Sequence, residues 1–191
     1  MLITLYGINN IGKTTHAKRL VNELNESGRA AVYVKYPVYT IEPSGPYLNT
    51  LLRSGRQQAV SEEELQLWFV LNRHQFQPTL KQWLSEGKIV VAEDYSGTGI
   101  VWGITKGLEQ GWLESLNRFL VPSDLSLLID GERAHQSIEK GHLHEEDNAL
   151  IQRCRTVHQE LAKQYGWNLI SLQPEKEATF ELIWNVVERN L

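Results

Sequence analysis

Eight consecutive residues, Gly7-Ile8-Asn9-Asn10-Ile11-Gly12-Lys13-Thr14, fit the pattern G-x-x-x-x-G-K-[ST]. Phosphate chemistry needs these residue types at this spacing. Glycines let the backbone curl, so that successive N–H groups through Asn9, Asn10 and Ile11 face inward. A helix opening at Lys13 adds about half a positive charge at its N-terminus. The Lys13 ammonium is then placed for β- and γ-phosphates, the Thr14 hydroxyl for Mg²⁺, and Thr15 beside it for metal and phosphate. The bland reading is a glycine turn with a surface lysine. It fails on context, because an apolar run precedes the loop and a helical period follows it. The loop does not name the acceptor, which could be water, a small molecule or a protein.

The elements that must hold this loop are legible from periodicity. Residues 2–6, 31–36, 88–93, 125–130 and 167–172 are short apolar runs without polar alternation. Such runs suit parallel strands covered on both faces. Between the first two, Ala17, Leu20, Val21 and Leu24 recur at helical spacing over residues 13–26, and Gly28 stops the helix. Ser61-Glu62-Glu63-Glu64 is a capping-box pattern opening a helix that should bend or break near Pro78 and end by Gly87. Further helices are expected at 44–53, 96–106, 108–120, 145–165 and 174–190. Strand–helix alternation of this kind predicts one three-layer α/β domain with right-handed crossovers.

Composition narrows the function. The chain has 191 residues, with 19 Lys plus Arg against 23 Asp plus Glu, a net charge of −4. That balance disfavours non-specific nucleic-acid binding, which demands a cationic excess. No run approaches the ~20 apolar residues of a membrane span. The single cysteine, Cys154, excludes an intramolecular disulfide and a cysteine metal cluster. A cytoplasmic protein is the expectation.

With the downstream segments added, the chain resembles the thymidylate kinases, a branch of the P-loop nucleoside monophosphate kinases. The likeness runs over nearly the whole sequence. Gly7 through Leu20 match the family's loop and first helix. Lys35-Tyr36-Pro37 stands where the family often has a basic residue, an aromatic and proline. The stretch from Leu67 to Arg73 resembles the helix carrying a base-stacking Phe and a following Arg, here Phe69 and Arg73. Glu93-Asp94-Tyr95-Ser96 aligns with the family's Asp-Arg-Tyr motif and the Ser after it. The resemblance implies a five-stranded parallel sheet flanked by helices, with a lid at about residues 133–146. It implies ATP with Mg²⁺ as phosphoryl donor and dTMP, or a related pyrimidine nucleotide, as acceptor. Phe69, Arg73 and Thr98 would bind the base, with Tyr95 also on the substrate side, and Lys35 and Arg53 would hold its phosphate. Phe69 and Arg73 are four apart, so they share a helix face, and a flat base with carbonyl acceptors wants an aromatic plane and a bidentate donor. Family members are commonly homodimers, and the Trp-containing stretch 65–83 could supply the interface.

The chain departs from the family pattern where charge matters. Asn9 replaces the usual loop Asp, and Asn10 stands where some members have Arg. The lid stretch carries Arg133 and Lys140 but no Arg in its distal half. The Asp-Arg-Tyr arginine has become Asp94. An arginine at a transferring phosphoryl group can be worth ~10³–10⁵ in rate. Two other readings therefore stand. A deoxynucleoside kinase would use Glu93, at a strand end, as general base toward a sugar 5′-hydroxyl. A non-catalytic module would bind nucleotide without turnover. For Glu93 and Asp94 themselves, base, metal-shell and structural roles stay open.

Smaller signals read as structure. His142 and His144 flank Leu143 in the lid stretch without an evident third metal ligand. Cys154 sits between Arg153 and Arg155 as an inert thiol. Trp83, Trp102, Trp112, Trp167 and Trp184 are expected as core or interface anchors.

Overall fold

Every residue of β1 (Leu2–Tyr6) and β3 (Ile89–Glu93) is buried, as their unbroken apolar character requires. The computed structural model describes residues 1–53, 59–132 and 148–191. Three further strands are β2 (Ala31–Lys35), β4 (Leu125–Asp130) and β5 (Asn168–Ser171). All pair in parallel in the order β2-β3-β1-β4-β5. The edge strands β2 and β5 are only partly buried, so the expectation of strands covered on both faces holds best for the inner three.

Among the described residues seven helices flank the sheet: α1 (Lys13–Glu26), α2 (Ser44–Arg53), α3 (Glu62–Ser85), α4 (Ser96–Thr105), α5 (Gln110–Asn117), α6 (Asn148–Tyr165) and α7 (Lys176–Glu188). Strand alternation splits the core in two. Ile3, Leu5 and Val91 join one cluster with Leu20 and Leu24 of α1, Ile151 of α6 and Ile183 of α7. Leu2, Tyr6, Val90 and Ala92 face the other way, against Leu80 and Phe76 of α3. Leu20 and Leu24 are fully buried, each contributing roughly 1.5–3 kcal/mol.

Helix α3 does not break at Pro78 but runs on through it for 24 residues, ending before Gly87 as expected. Ser61 caps its start, accepting from the Glu64 N–H as the capping pattern predicts. An interior proline costs about 3 kcal/mol or more in an isolated helix. Tertiary contacts offset that here. Gln77 accepts from the Val121 N–H at 2.8 Å and donates to the Phe119 carbonyl at 3.3 Å, and Leu80 is fully buried.

The register brings the carboxyl ends of three strands level, with Leu5 and Lys35 both opposite Glu93. β1 lies between β3 and β4, so the loop after β1 emerges where neighbouring connections leave in opposite directions. Open α/β sheets bind ligands at such a point.

Candidate active site

The glycine loop occupies that crevice. Gly7 adopts φ +142°, and a Cβ there would lie 2.6 Å from the Ile129 carbonyl oxygen, so β4 leaves room only for glycine. Gly12 caps α1 at φ 97° with no side-chain cap bond. The first-turn N–H groups of α1 are thus left for an anion. Ile11 is buried in the core and contributes to the loop through its backbone.

Lys13 is 95% buried, its Nζ donating to the Gly7 and Ile8 carbonyls at 2.9 Å each. The same ammonium lies 3.5 Å from Asp94 Oδ1. Lys13 is therefore folded over its own loop, at the place a phosphate tail would occupy.

Glu93 ends β3 and is clamped from three sides. The Thr14 hydroxyl donates to Oε1 at 2.8 Å, the Tyr33 hydroxyl donates to Oε2, and Lys35 Nζ lies 3.0 Å from Oε1. Burial opposes the charge, but the Lys35 ammonium, the Tyr33 hydrogen bond and Lys13 outweigh it and hold the carboxyl below the usual range. A depressed pKa and committed oxygens make a poor general base, so the expectation of Glu93 as a base is not supported by its surroundings. Lys35, expected on an acceptor phosphate, lines the cavity beside the glycine loop and pairs with Glu93. Burial works against the ammonium, but Glu93 and Asp94 hold its pKa above the ordinary value.

Asp94 sits at φ 60°, a left-handed conformation that Asp tolerates better than most residues. Its Oδ1 accepts from the Thr98 hydroxyl at 3.2 Å. Burial first, and Glu93 beside it, push this carboxyl up against the pull of Lys13.

A cavity of about 430 Å³ opens from the loop toward α2, α3 and α4. Asn9, Asn10, Gly12, Lys13, Thr14 and Thr15 line its loop side, and Phe69, Arg73, Thr98 and Arg53 line the other. The structure thus brings together most of the residues singled out from sequence. Arg73 is buried at 3% exposure and donates from Nη1 to Asn117 Oδ1 at 3.0 Å. Burial pulls its guanidinium down to about 10, which leaves it charged at neutral pH. Arg53 is exposed and lies over the Tyr39 ring at 5.5 Å.

One expectation is corrected and another is met with an addition. Tyr95 is 1% exposed and packs on Tyr36, its hydroxyl donating to the Val121 carbonyl; it does not line the cavity. Trp102, expected as a core or interface anchor, packs on the core and also lines the cavity. The other four tryptophans named pack against the core. Cys154 is buried, its thiol pushed up to about 12, as an inert thiol should be. The lid stretch with Arg133, Lys140, His142 and His144 lies outside the described residues.

Sequence reasoning missed three contributors. Tyr33 shares a face of β2 with Ala31 and Lys35, and only the register, which sets it against Val91, brings its hydroxyl within reach of Glu93 two residues on. Asn72 ties the segment after β2 to α3, accepting from the Val38 N–H at 2.7 Å and donating to Ser44 Oγ at 2.9 Å. Gln66 lies one turn before Phe69, a spacing that could have marked it.

The fold and the glycine loop together define a P-loop nucleotide kinase class. The family model for thymidylate kinase matches residues 5–183. The chain belongs to the thymidylate kinase family. Human thymidylate kinase is 26% identical over 185 residues, spanning 94% of this chain and 86% of that one. A relative described as a probable thymidylate kinase, from Thermococcus kodakarensis, is 32% identical over 137 residues, 68% of this chain and 66% of the relative. Thymidylate kinase from Candida albicans superposes with a TM-score of 0.83 at 21% identity, covering 99% of this chain and 91% of that one.

Proposed function

We propose that the protein transfers the γ-phosphoryl group of ATP to dTMP, giving dTDP and ADP. The observation that carries this is one cavity joining a phosphate-binding loop to an aromatic–arginine pair, Phe69 and Arg73, on a single helix face. Membership of the thymidylate kinase family supports the acceptor.

The chain's own residues divide the work. Loop amides and the α1 N-terminus bind the donor's phosphate tail, and Lys13 exchanges its carbonyl partners for the phosphates. Phosphoryl transfer is mostly positioning plus charge stabilisation, so a buried lysine at the transferring group does most for the rate. Phe69 stacks the base, and Arg73 donates to a ring carbonyl. Asp94 replaces the arginine expected beside the acceptor phosphate, which leaves Arg53 and the neighbouring Tyr39 hydroxyl to hold it.

Thr14 and Glu93 supply hard oxygen donors at the head of α1, a set that fits Mg²⁺. When bound, the ion neutralises charge on the donor phosphates. Thr14 would hold it, with Glu93 fixing the Thr14 hydroxyl. Among the described residues no helix is long and apolar enough to cross a membrane. We place the protein in the cytoplasm as part of the same reading. Leu67 and Leu71, exposed on α3 at 49% and 39%, support a homodimer through that helix.

The deoxynucleoside kinase reading loses its base, since Glu93 is clamped and depressed in pKa. The non-catalytic reading rested on missing arginines, while one cavity joining the glycine loop to Phe69 and Arg73 supports turnover. The test is an acceptor screen with ATP and Mg²⁺ over dTMP, dUMP, UMP, CMP, thymidine and deoxycytidine. ADP release should be greatest with dTMP. Release only with the nucleosides, or with no acceptor at all, would refute the assignment.

A further inference from the structure

Among the described residues, five buried side-chain polar atoms have no hydrogen-bond partner: His16 Nδ1, Tyr36 Oη, Gln66 Oε1, Arg73 Nε and His158 Nε2. Buried polar atoms are normally satisfied, so each orphan calls for a reason. Tyr36, Gln66 and Arg73 share one, since all three residues line the cavity. The set is complementary in kind. Arg73 Nε and Tyr36 Oη are donors awaiting acceptors, and Gln66 Oε1 is an acceptor awaiting a donor.

Gln66 is 2% exposed and sits on α3 three residues before Phe69 and seven before Arg73. All three belong to the cavity-facing stripe of that helix. Along that stripe Gln66 stands about one turn before Phe69 and Arg73 about one turn after it, so the two polar residues bracket the ring in helix position. A planar ring stacked on Phe69 would meet Arg73 at one edge position and Gln66 at another.

We infer that Gln66 reads the imide edge of the acceptor base, its Oε1 accepting the ring N3–H of thymine or uracil. This rests on the dTMP-kinase reading and deepens it by naming a specificity-determining residue. The imide edge presents O4, N3–H and O2, which is acceptor, donor, acceptor. Two cavity donors and one cavity acceptor match that set in number and kind. Cytosine presents an amino donor at C4 and a lone pair at N3. It would set donor against the Arg73 guanidinium and acceptor against Gln66 Oε1. Sites built to hydrogen-bond a group reject analogues lacking it by up to ~10⁴–10⁵, because their own buried groups are left unpaired. N3-methylation of thymine removes the one donor that Gln66 needs.

The experiment compares kcat/KM for dTMP, N3-methyl-dTMP, dCMP and 3′-deoxy-dTMP in the wild type and in Gln66→Met. The wild type should prefer dTMP over N3-methyl-dTMP by at least ~100-fold. Gln66→Met should shrink that ratio at least tenfold, leave the KM for ATP unchanged, and leave discrimination against 3′-deoxy-dTMP as it was. Its Tm should hold or rise, because the change removes an orphaned acceptor. Equal use of dTMP and N3-methyl-dTMP by the wild type overturns the inference even if the variant fails to fold. So does an unchanged ratio in a folded Gln66→Met, or a change confined to the 3′-deoxy arm, which would assign Gln66 to the sugar hydroxyl. Each of these leaves the kinase reading standing, because dTMP turnover remains. Absence of dTMP turnover in the wild type would remove both.

Discussion

Gly99 on α4 and Arg73 on α3 are matched to each other. The Arg73 guanidinium occupies the space that a Cβ on Gly99 would take, and such a Cβ would collide with Nη2. The arginine has little freedom to yield, being 3% exposed and hydrogen-bonded to Asn117. Gly99→Ala should therefore displace the guanidinium while the loop stays intact. A misplacement of about 1 Å can cost ~10²-fold. The expected outcome is a rise in the KM for dTMP of roughly tenfold or more with the KM for ATP nearly unchanged. Steady-state kinetics with each substrate varied in turn decides it; an equal rise in both would show a general loosening instead.

Lys13→Ala should leave the fold intact and cut turnover by at least ~10², the scale of losing one preorganised charge donor. The Gly7 and Ile8 carbonyls lose their ammonium partner, yet Lys13 itself lines the cavity, so water entering the space it leaves can replace it. Circular dichroism should overlay the wild type while kcat collapses. Near-normal turnover would remove Lys13 from its assigned role.

The loop, its strand and its helix were legible because each is local. Gly7 through Thr14 is one unbroken string, and α1 and α2 begin and end where their periodicity places them. Partnerships between distant segments were not legible. Tyr33 and Glu93 are 60 residues apart, and nothing in either neighbourhood marks the hydrogen bond that joins them. The pairing of Lys35 with Glu93 was hidden for the same reason. Tyr95 read as a substrate contact because the resemblance puts its motif on the substrate side, although its ring turns into the core against Tyr36. Pro78 read as a bend or break because local propensity cannot weigh the buried Gln77 and Leu80 on either side.

His158 makes stability pH-dependent. It is buried with Nδ1 on the Cys154 carbonyl at 2.9 Å, and burial pulls its pKa down to about 3. The folded state therefore refuses a proton that the unfolded state accepts below its ordinary value of 6.5. His158 costs nothing above that value, and stability falls as pH drops from there toward 3. The slope is about 1.4 kcal/mol per pH unit, or roughly 2 kcal/mol between pH 7 and pH 5. Urea unfolding at the two pH values should show this loss, and His158→Leu should shrink it by about that amount. An unchanged pH dependence in His158→Leu would mean that other groups set it.

The Glu93 clamp separates positioning from base chemistry. Thr14, Tyr33 and Lys35 all hold its carboxylate, so Glu93→Gln should disturb Thr14 and Lys35 together. The apparent affinity for Mg²⁺–ATP, read by calorimetry, should weaken by roughly tenfold, the scale of one charge-assisted hydrogen bond. Tyr33→Phe removes one donor and leaves the charge, so its loss should be several-fold smaller. The KM for dTMP should barely move in either. Because the folded carboxyl lies below its ordinary value of 4.5, Glu93 stabilises the fold above that value. Its contribution is lost as pH falls through the depressed pKa. Glu93→Gln should accordingly flatten the acid limb of the stability profile. A base would behave differently: its loss would abolish turnover while leaving Mg²⁺–ATP binding untouched, and that result would restore Glu93 to proton transfer.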